Sequence, residues 1–368
     1  MAAPARHGRD VPRAHPPDVR GPSPGPAVRC KTRDGHDRGV TTIAPAPRST
    51  RQHHLIGLTA AFGIGMLVAV QSRLNGELGD VLADGIAAAL ISFVTGLAVL
   101  LTGAALVPQI RHSLGNVWRA IRMPMRGYGG LRWWQCLGGL SGAFLVATQS
   151  ITVSVIGVAV FTVAGVAGQA ISSLVVDRLG FGPAGPQPFT TVRVVGALVA
   201  LVAVVLAVSD QLGHPDGLLL AILPALAGLG AAVQQAINGR VARTASPDAY
   251  GAIAAGVVNF LVGFAALLLV FLVDLGFEGL PHHLPSEPWL YLGGTCGVIF
   301  ISAAAAVVRV VGVFVLGLGT IAGQLIASLF IDLFLPAADK AVTSPVVAGT
   351  VLALAAVVIA AVPNLRRH

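Results

Sequence analysis

From residue 55 onward, apolar positions run in blocks of about 20 residues separated by short polar breaks, the length a helix needs to cross a bilayer core about 30 Å thick. Ten blocks are placed, at 55–74, 86–107, 133–153, 157–177, 192–209, 217–237, 250–274, 288–308, 312–335 and 344–363. The cuts after 153 and after 308 are tight. They rest on Gly157 and Gly312 and on length, because 133–177 is too long for one span.

The blocks repeat. Residues 157–177 (GVAVFTVAGVAGQAISSLVVD) and 312–332 (GVFVLGLGTIAGQLIASLFID) superpose at an offset of 155, with ten of 21 positions identical. The identities include Gln169 with Gln324, Ser173 with Ser328, and Asp177 with Asp332. Their i, i+4, i+8 spacing puts an amide, a hydroxyl and a carboxylate on one helix face. The match extends over 137–177 against 292–332, where 16 of 41 positions agree, including Leu-Gly-Gly at 137–139 and 292–294. Upstream, AVQSRLNG at 69–76 answers AVQQAING at 232–239, and IAAALISFVTG at 86–96 answers IAAGVVNFLVG at 253–263. Each half then holds five spans, and an odd number inserts the second half upside down relative to the first. The expected fold is an all-α integral membrane protein of ten transmembrane helices in two inverted five-helix repeats, 55–209 and 217–363, with a short tail at 364–368.

Composition agrees with that reading: 55% of residues are hydrophobic and 11% charged, with a mean hydropathy of +0.79, against about 25% charged in soluble domains. Of the 24 Lys and Arg, ten precede residue 55. Most others fall in loops that place both termini on the cytoplasmic side, leaving Arg73 and Lys340 outside. Topology therefore explains the net charge of +8, and no basic stripe interleaved with aromatics suggests nucleic acid. Residues 1–54, rich in Pro and Arg, lack apolar periodicity and read as a disordered cytoplasmic tail. Arginine outnumbers lysine 22 to 2, the bias of GC-rich coding, and Val40 reads as an alternative start that would make most of the tail a start-site artefact. Cys30, Cys136 and Cys296 have neither metal-ligand nor disulfide spacing and are taken as incidental.

Two five-span halves, the AVQ…NG and Leu-Gly-Gly blocks and the Gly-Gln…Ser…Asp block together resemble the drug/metabolite transporter superfamily. Within it the chain is similar to the YdcZ-type family of bacterial inner-membrane proteins, with both halves fused in one chain. That resemblance covers about residues 55–363 and implies a helical carrier fold and export of a small solute. It transfers no ligand or catalytic residue.

The candidate residues come from the repeat itself. Gln169 and Gln324 fall near mid-depth, about 18 Å along their spans, where they could meet across a pseudo-two-fold axis and bind a solute. Ser173 and Ser328 share that stripe, and Asp177 and Asp332 mark opposite mouths of a pathway or a coupling site. Gln and Ser equally serve as glue between helices, worth about 0.6 kcal/mol a bond, and the Asp residues as interfacial caps. Gln71 with Asn75, and Gln234 with Asn238, form a second symmetric set near span ends. Of these the glutamines are the better binding candidates, since Asn75-Gly76 and Asn238-Gly239 also suit a helix stop. Gln149, Gln235, Ser92 and Asn259 are further polar groups within spans.

No nucleophile–base set, metal-ligand spacing or ATP-binding loop is present, so the chain is read as a non-enzyme without cofactor. The expected function is secondary transport of a small metabolite or drug-like solute by alternating access across the cell membrane. The alternatives are a non-transporting scaffold or accessory subunit, or a lipid-headgroup translocator. The expected partners are the bilayer and the solute; the reading admits a homodimer without selecting it.

Overall fold

The computed structural model of the chain describes residues 50–123, 130–180, 190–209, 215–277, 279–281, 283–336 and 342–365. Most of the expected disordered tail, and residues 366–368, lie outside them. Among the described residues every regular element is helical. In order these are α1 Thr50–Leu82, α2 Gly85–Leu106, α3 Pro108–Arg122, α4 Gly138–Arg178, α5 Thr191–Ala207, α6 Pro215–Ala245, α7 Ala249–Asp274, α8 Gly293–Phe334 and α9 Ser344–Leu365. Short 3₁₀ turns at Trp133–Cys136 and Pro288–Leu292 lead into α4 and α8.

Helix ends differ from the sequence expectation in instructive places. α1 begins at Thr50, inside the stretch read as tail, and α9 reaches Leu365, two residues past the expected end. Neither Asn-Gly pair stops a helix: α1 runs on to Leu82 and α6 to Ala245. The asparagines are engaged sideways, with Asn75 Nδ2 donating to Gln149 Oε1 at 2.7 Å and Asn238 Oδ1 accepting from Asn259 Nδ2 at 3.3 Å. Gly76 lies against Val153, so its missing side chain is spent on helix contact rather than on a left-handed cap. The actual boundaries are acidic N-caps. Asp84 accepts from the Ile86 and Ala87 amides at the start of α2, and Asp248 accepts from Tyr250 N at the start of α7.

The arginine-bearing link after α2 is a helix, not a loop. In α3, Ile110, Ser113, Val117 and Ala120 are buried at i, i+3, i+7 and i+10, whereas Trp118 is exposed with the Arg122 guanidinium 4.2 Å above its ring. The helix is also pinned by its polar side chains. Arg111 donates to the Ala104 and Ala105 carbonyls at the end of α2, and Asn116 donates to Ala245 O at the end of α6. The spacing of its apolar residues shows only once the arginines between them are read as one face.

α4 has 41 residues, twice a span, and Gly157 inside it departs from helical geometry at φ 83 and ψ 161. α6 serves as a ruler for what happens there. Gly138 and Gly142 lie against Asn238 and Gln234, so the first arm runs opposite to α6. In the second arm Gly168 touches Ala225, Val176 packs with Ala232 and Ala236, and Gly180 O accepts from Arg240, so this arm runs with α6. The chain therefore reverses at Gly157, where that glycine and the length of the block had placed a cut. α8 does the same between Gly297 and Gly319: Gly293 and Gly297 descend against Asn75 and Gln71, whereas Gly319 lies at Ala61 and Gln324 at Gly65.

Among the described residues six helices are long and apolar enough to cross a membrane: Ile56–Leu82, Gly85–Leu106, Trp133–Val176, Leu220–Ala245, Ala249–Asp274 and Leu316–Phe334. Shorter apolar helices lie at Val194–Ala207, Pro288–Ala304 and Ser344–Ile359. In lipid, apolar side chains gain little by leaving their solvent, so the helices associate through close backbone contact at small residues. Gly65 of α1 lies on the Thr320 carbonyl and Gln324 amide of α8, and Gly228 of α6 lies on the Gly165 carbonyl and Gln169 amide of α4. Shifting the first contact by the sequence-repeat offsets gives the second.

Candidate functional site

The polar side chains within the bundle collect where α4 and α8 begin. Beside the first turn of α8 are Gln71 and Asn75 of α1 and Ser92 of α2, on Gly293 and Gly297. Beside the first turn of α4 are Gln234 and Asn238 of α6 and Asn259 of α7, on Gly138 and Gly142. A side chain in place of Gly142 would start 2.7 Å from Gln234 Nε2, and one in place of Gly138 would start 2.7 Å from Asn238 Oδ1. Glycine in the Leu-Gly-Gly blocks is thus what leaves room for the amides. Ser92 and Asn259 occupy equivalent positions in the two halves, so the clusters match in place while differing in chemistry.

Between the clusters stand Phe93 of α2 and Phe260 of α7, their ring centroids 4.9 Å apart and planes tilted by 38°. Each ring covers the other half's glycine, Phe93 over Gly263 and Phe260 over Gly96. Gln71 and Gln234 each lie 11 residues before the end of their helix, about 16 Å along it. They are therefore deep in the bundle and not near a span's end, because both helices outlast their Asn-Gly pairs.

The cluster at α8 is extended through Gln149, whose equivalent in the other half is Ala304. Asn75 donates to Gln149, Gln149 Nε2 donates to Ser72 Oγ at 2.9 Å, and Ser72 donates to Val68 O at 3.0 Å. All three side chains are buried, yet Asn75 Oδ1 accepts no hydrogen bond among the described residues. A buried acceptor without a donor costs about 1–3 kcal/mol, and this one sits beside Gly293 on the cluster.

The stripe Gln-Ser-Asp is distributed differently. Gln169 and Gln324 are half-buried, and no hydrogen bond joins their side chains among the described residues. Their backbone amides lie at the glycine crossings with α6 and α1. Ser173 donates to Ala170 O at 2.8 Å and Ser328 to Leu325 O at 2.9 Å, so both hydroxyl protons are used within their own helices. The side chain of Asp177 lies outside the described residues. Asp332 is buried: Oδ1 accepts from Val158 N at 2.9 Å and Oδ2 from Ala159 N at 2.7 Å. Its carboxylate thus caps the second arm of α4 immediately after the reversal at Gly157, satisfying two amides that no helical carbonyl can reach.

A separate cleft of about 270 Å³ between α2, α4, α6 and α7 is lined by Leu140, Phe144, Ile151, Leu223 and Val270. It contains none of the predicted site residues. Its one polar side chain, Thr148, donates to Phe144 O at 2.7 Å.

The Phe pair and Ser72 were the parts of this site not singled out from sequence, where Gln149 stood only as a further polar group. The signal for the first was present, since Phe-x-x-Gly recurs at 93–96 and 260–263 inside the matched blocks.

Comparison with known proteins addresses the whole bundle. Among curated proteins none matches the chain. Among solved structures, one described only as "Crystal structure of protein" aligns with a TM-score of 0.48 at 19% identity, covering 86% of this chain and 99% of that one. Likeness at that score fixes nothing about function. A family model described as "Putative inner membrane exporter, YdcZ" matches twice, over residues 56–206 and 219–359, the two halves seen in the sequence. The chain is a multi-pass inner-membrane protein and belongs to the YdcZ family of the drug/metabolite transporter superfamily.

Proposed function

We propose that the chain is a secondary carrier that exports a small hydrogen-bonding solute by alternating access between two inverted five-helix halves. Counting the two arms of α4 and of α8 separately gives ten crossings, with both termini cytoplasmic. Inversion is supported by levels along α4. Its Ser150 and Ile151 lie beside Gly79 at the end of α1 and Gly85 at the start of α2, while Thr148 and Ile151 share a cleft with Leu223 early in α6. α1 thus ends near the level where α6 begins.

The observation that carries the reading is the pair of equivalent amide clusters on either side of Phe93 and Phe260. A carrier of this architecture places its site where the repeats meet, and an aromatic pair between two polar stations is a suitable partition. Gln71 and Gln234 are the primary binding groups, with Asn75, Ser92, Asn238 and Asn259 around them. The unpartnered Asn75 Oδ1 favours a solute that carries a donor. Gln169 and Gln324, with the lone pairs of Ser173 and Ser328, line the remainder of the pathway, and Asp177 and Asp332 sit at its two ends.

Efflux from proteoliposomes loaded with a metabolite panel tests this. For a panel member that wild type exports, Gln71→Ala and Gln234→Ala should each slow efflux by about tenfold, the loss of one buried hydrogen bond of about 1.4 kcal/mol. Folded variants that keep wild-type rates for every exported member would remove these residues from the site. One observation favours a second reading, lipid translocation: Leu140, Phe144, Ile151 and Val270 of the apolar cleft are all at least 40% exposed on the bundle's outer surface, where an acyl chain could lie. Flip of a labelled phospholipid in the same vesicles, without solute efflux, would select it.

A further inference from the structure

We propose that Asp332 is the protein's proton-binding site, and that proton uptake there releases α8 from the reversal of α4. The argument begins with what the carboxylate holds. Gly157 has φ 83 and ψ 161, a backbone region essentially restricted to glycine, and it lies directly against Asp332 Oδ2. Past it, Val158 N and Ala159 N are the first amides of a new helical arm, and their acceptors are the two oxygens of a residue 174 and 173 positions later. The bond pair therefore fastens the end of α8, in the second half of the chain, to the hinge of α4, in the first.

Only the ionised carboxylate makes both bonds. A hydronium ion transfers a proton to one oxygen and leaves as water; that oxygen then presents an O–H toward an N–H, so its bond is lost. The remaining bond loses its charge assistance, which is about half its strength. No other bond forms or breaks.

The surroundings suit a site that changes charge. On α1, Arg73 acts electrostatically on Asp332, and Arg73 Nε also lies 3.5 Å from Glu77 Oε2. When Asp332 is neutral, Arg73 keeps Glu77 as its counter-charge, so protonation strands no cation. The Arg73 and Glu77 side chains are 22% and 38% exposed, whereas Asp332 is buried. Among the described side chains packed there from the other elements, including Val208 after α5 and Leu220 of α6, none is titratable. α4 has no titratable residue between 138 and 176, α9 has none between 344 and 359, and the described side chains in the second arm of α8 include none besides Asp332. Use of the switch to drive export rests on the carrier reading; proton binding itself does not.

Hydrogen exchange of the peptide segment around 155–162, in nanodiscs and corrected for intrinsic chemical rates, tests the proposal without any transported solute. In wild type, exchange at Val158 and Ala159 should quicken about tenfold as the medium is acidified and the cap opens. Asp332→Asn should exchange fast throughout the same titration with no transition. Glu77→Gln and Arg73→Gln should both keep the transition, because the group that binds the proton is Asp332. A flat wild-type profile would overturn the proposal, whether or not Asp332→Asn folds. So would a transition that survives in Asp332→Asn.

Discussion

Gly157→Ala should lower the thermal unfolding midpoint by about 10 °C, the product of a loss of about 3–5 kcal/mol and about 2–4 °C per kcal/mol for a chain of this class. Two costs combine. The backbone at φ 83, ψ 161 strains any other residue by about 1–3 kcal/mol. The new Cβ would also start 2.7 Å from Asp332 Oδ2, pushing the carboxylate off amides that no other group serves and forfeiting a charge-assisted bond worth about 1.5–3 kcal/mol. Gly279 separates the two terms. It too has a positive φ, 81, but nothing lies within 4 Å of its would-be side chain. Gly279→Ala should therefore cost only the strain, about 1 kcal/mol. Scanning fluorimetry of both variants in detergent decides: equal midpoints would mean that the Asp332 cap contributes nothing.

The second large effect is a contrast between neighbours in α1. Gly65→Ala places a methyl on the Thr320 carbonyl and the Gln324 amide of α8. Backbone cannot rotate away, so the helices must separate along the crossing, at a cost of about 3 kcal/mol or more. Gly63, two residues earlier, meets nothing within 4 Å. Gly63→Ala removes backbone freedom from the unfolded chain and should stabilise by about 0.5–1 kcal/mol. Gly228→Ala, on the equivalent crossing of α6 with α4, should behave like Gly65→Ala. Yield of monodisperse protein and the midpoint of unfolding measure all three. If Gly65→Ala and Gly63→Ala shift the midpoint alike, the close crossing of α1 with α8 is not as described.

How much of this was legible in the sequence depends on the range of the interaction. Block length and repetition needed no partner, so the helical blocks and the reversal at Gly157 could be read directly. The Asn-Gly pairs misled because a helix stop is a local inference. Asn75 is occupied by Gln149, 74 residues away, and that bond exists only once α1 and α4 cross. α3 was hidden by its arginines, whose charge argued for a loop until alternate faces were separated. Asp332 was flagged for recurring with Asp177, and a capping role was weighed for it. Its partners, however, are backbone amides, which carry no residue identity and so leave no sequence signal. The clusters beside Gly293 and Gly138 combine both kinds of information. Their members were visible as repeated polar positions, and their assembly depends on glycines whose role appears only when the helices are packed.

The central claim is that the two halves are inverted, so that equivalent stations open to opposite faces. Ala83 and Ser246 are equivalent positions, following α1 and α6. In a background with Cys30, Cys136 and Cys296 replaced, Ala83→Cys and Ser246→Cys can each be exposed to a membrane-impermeant maleimide in right-side-out and in inverted vesicles. The account predicts that Ala83→Cys reacts only in right-side-out vesicles and Ser246→Cys only in inverted ones. Reaction of both from the same side would contradict it.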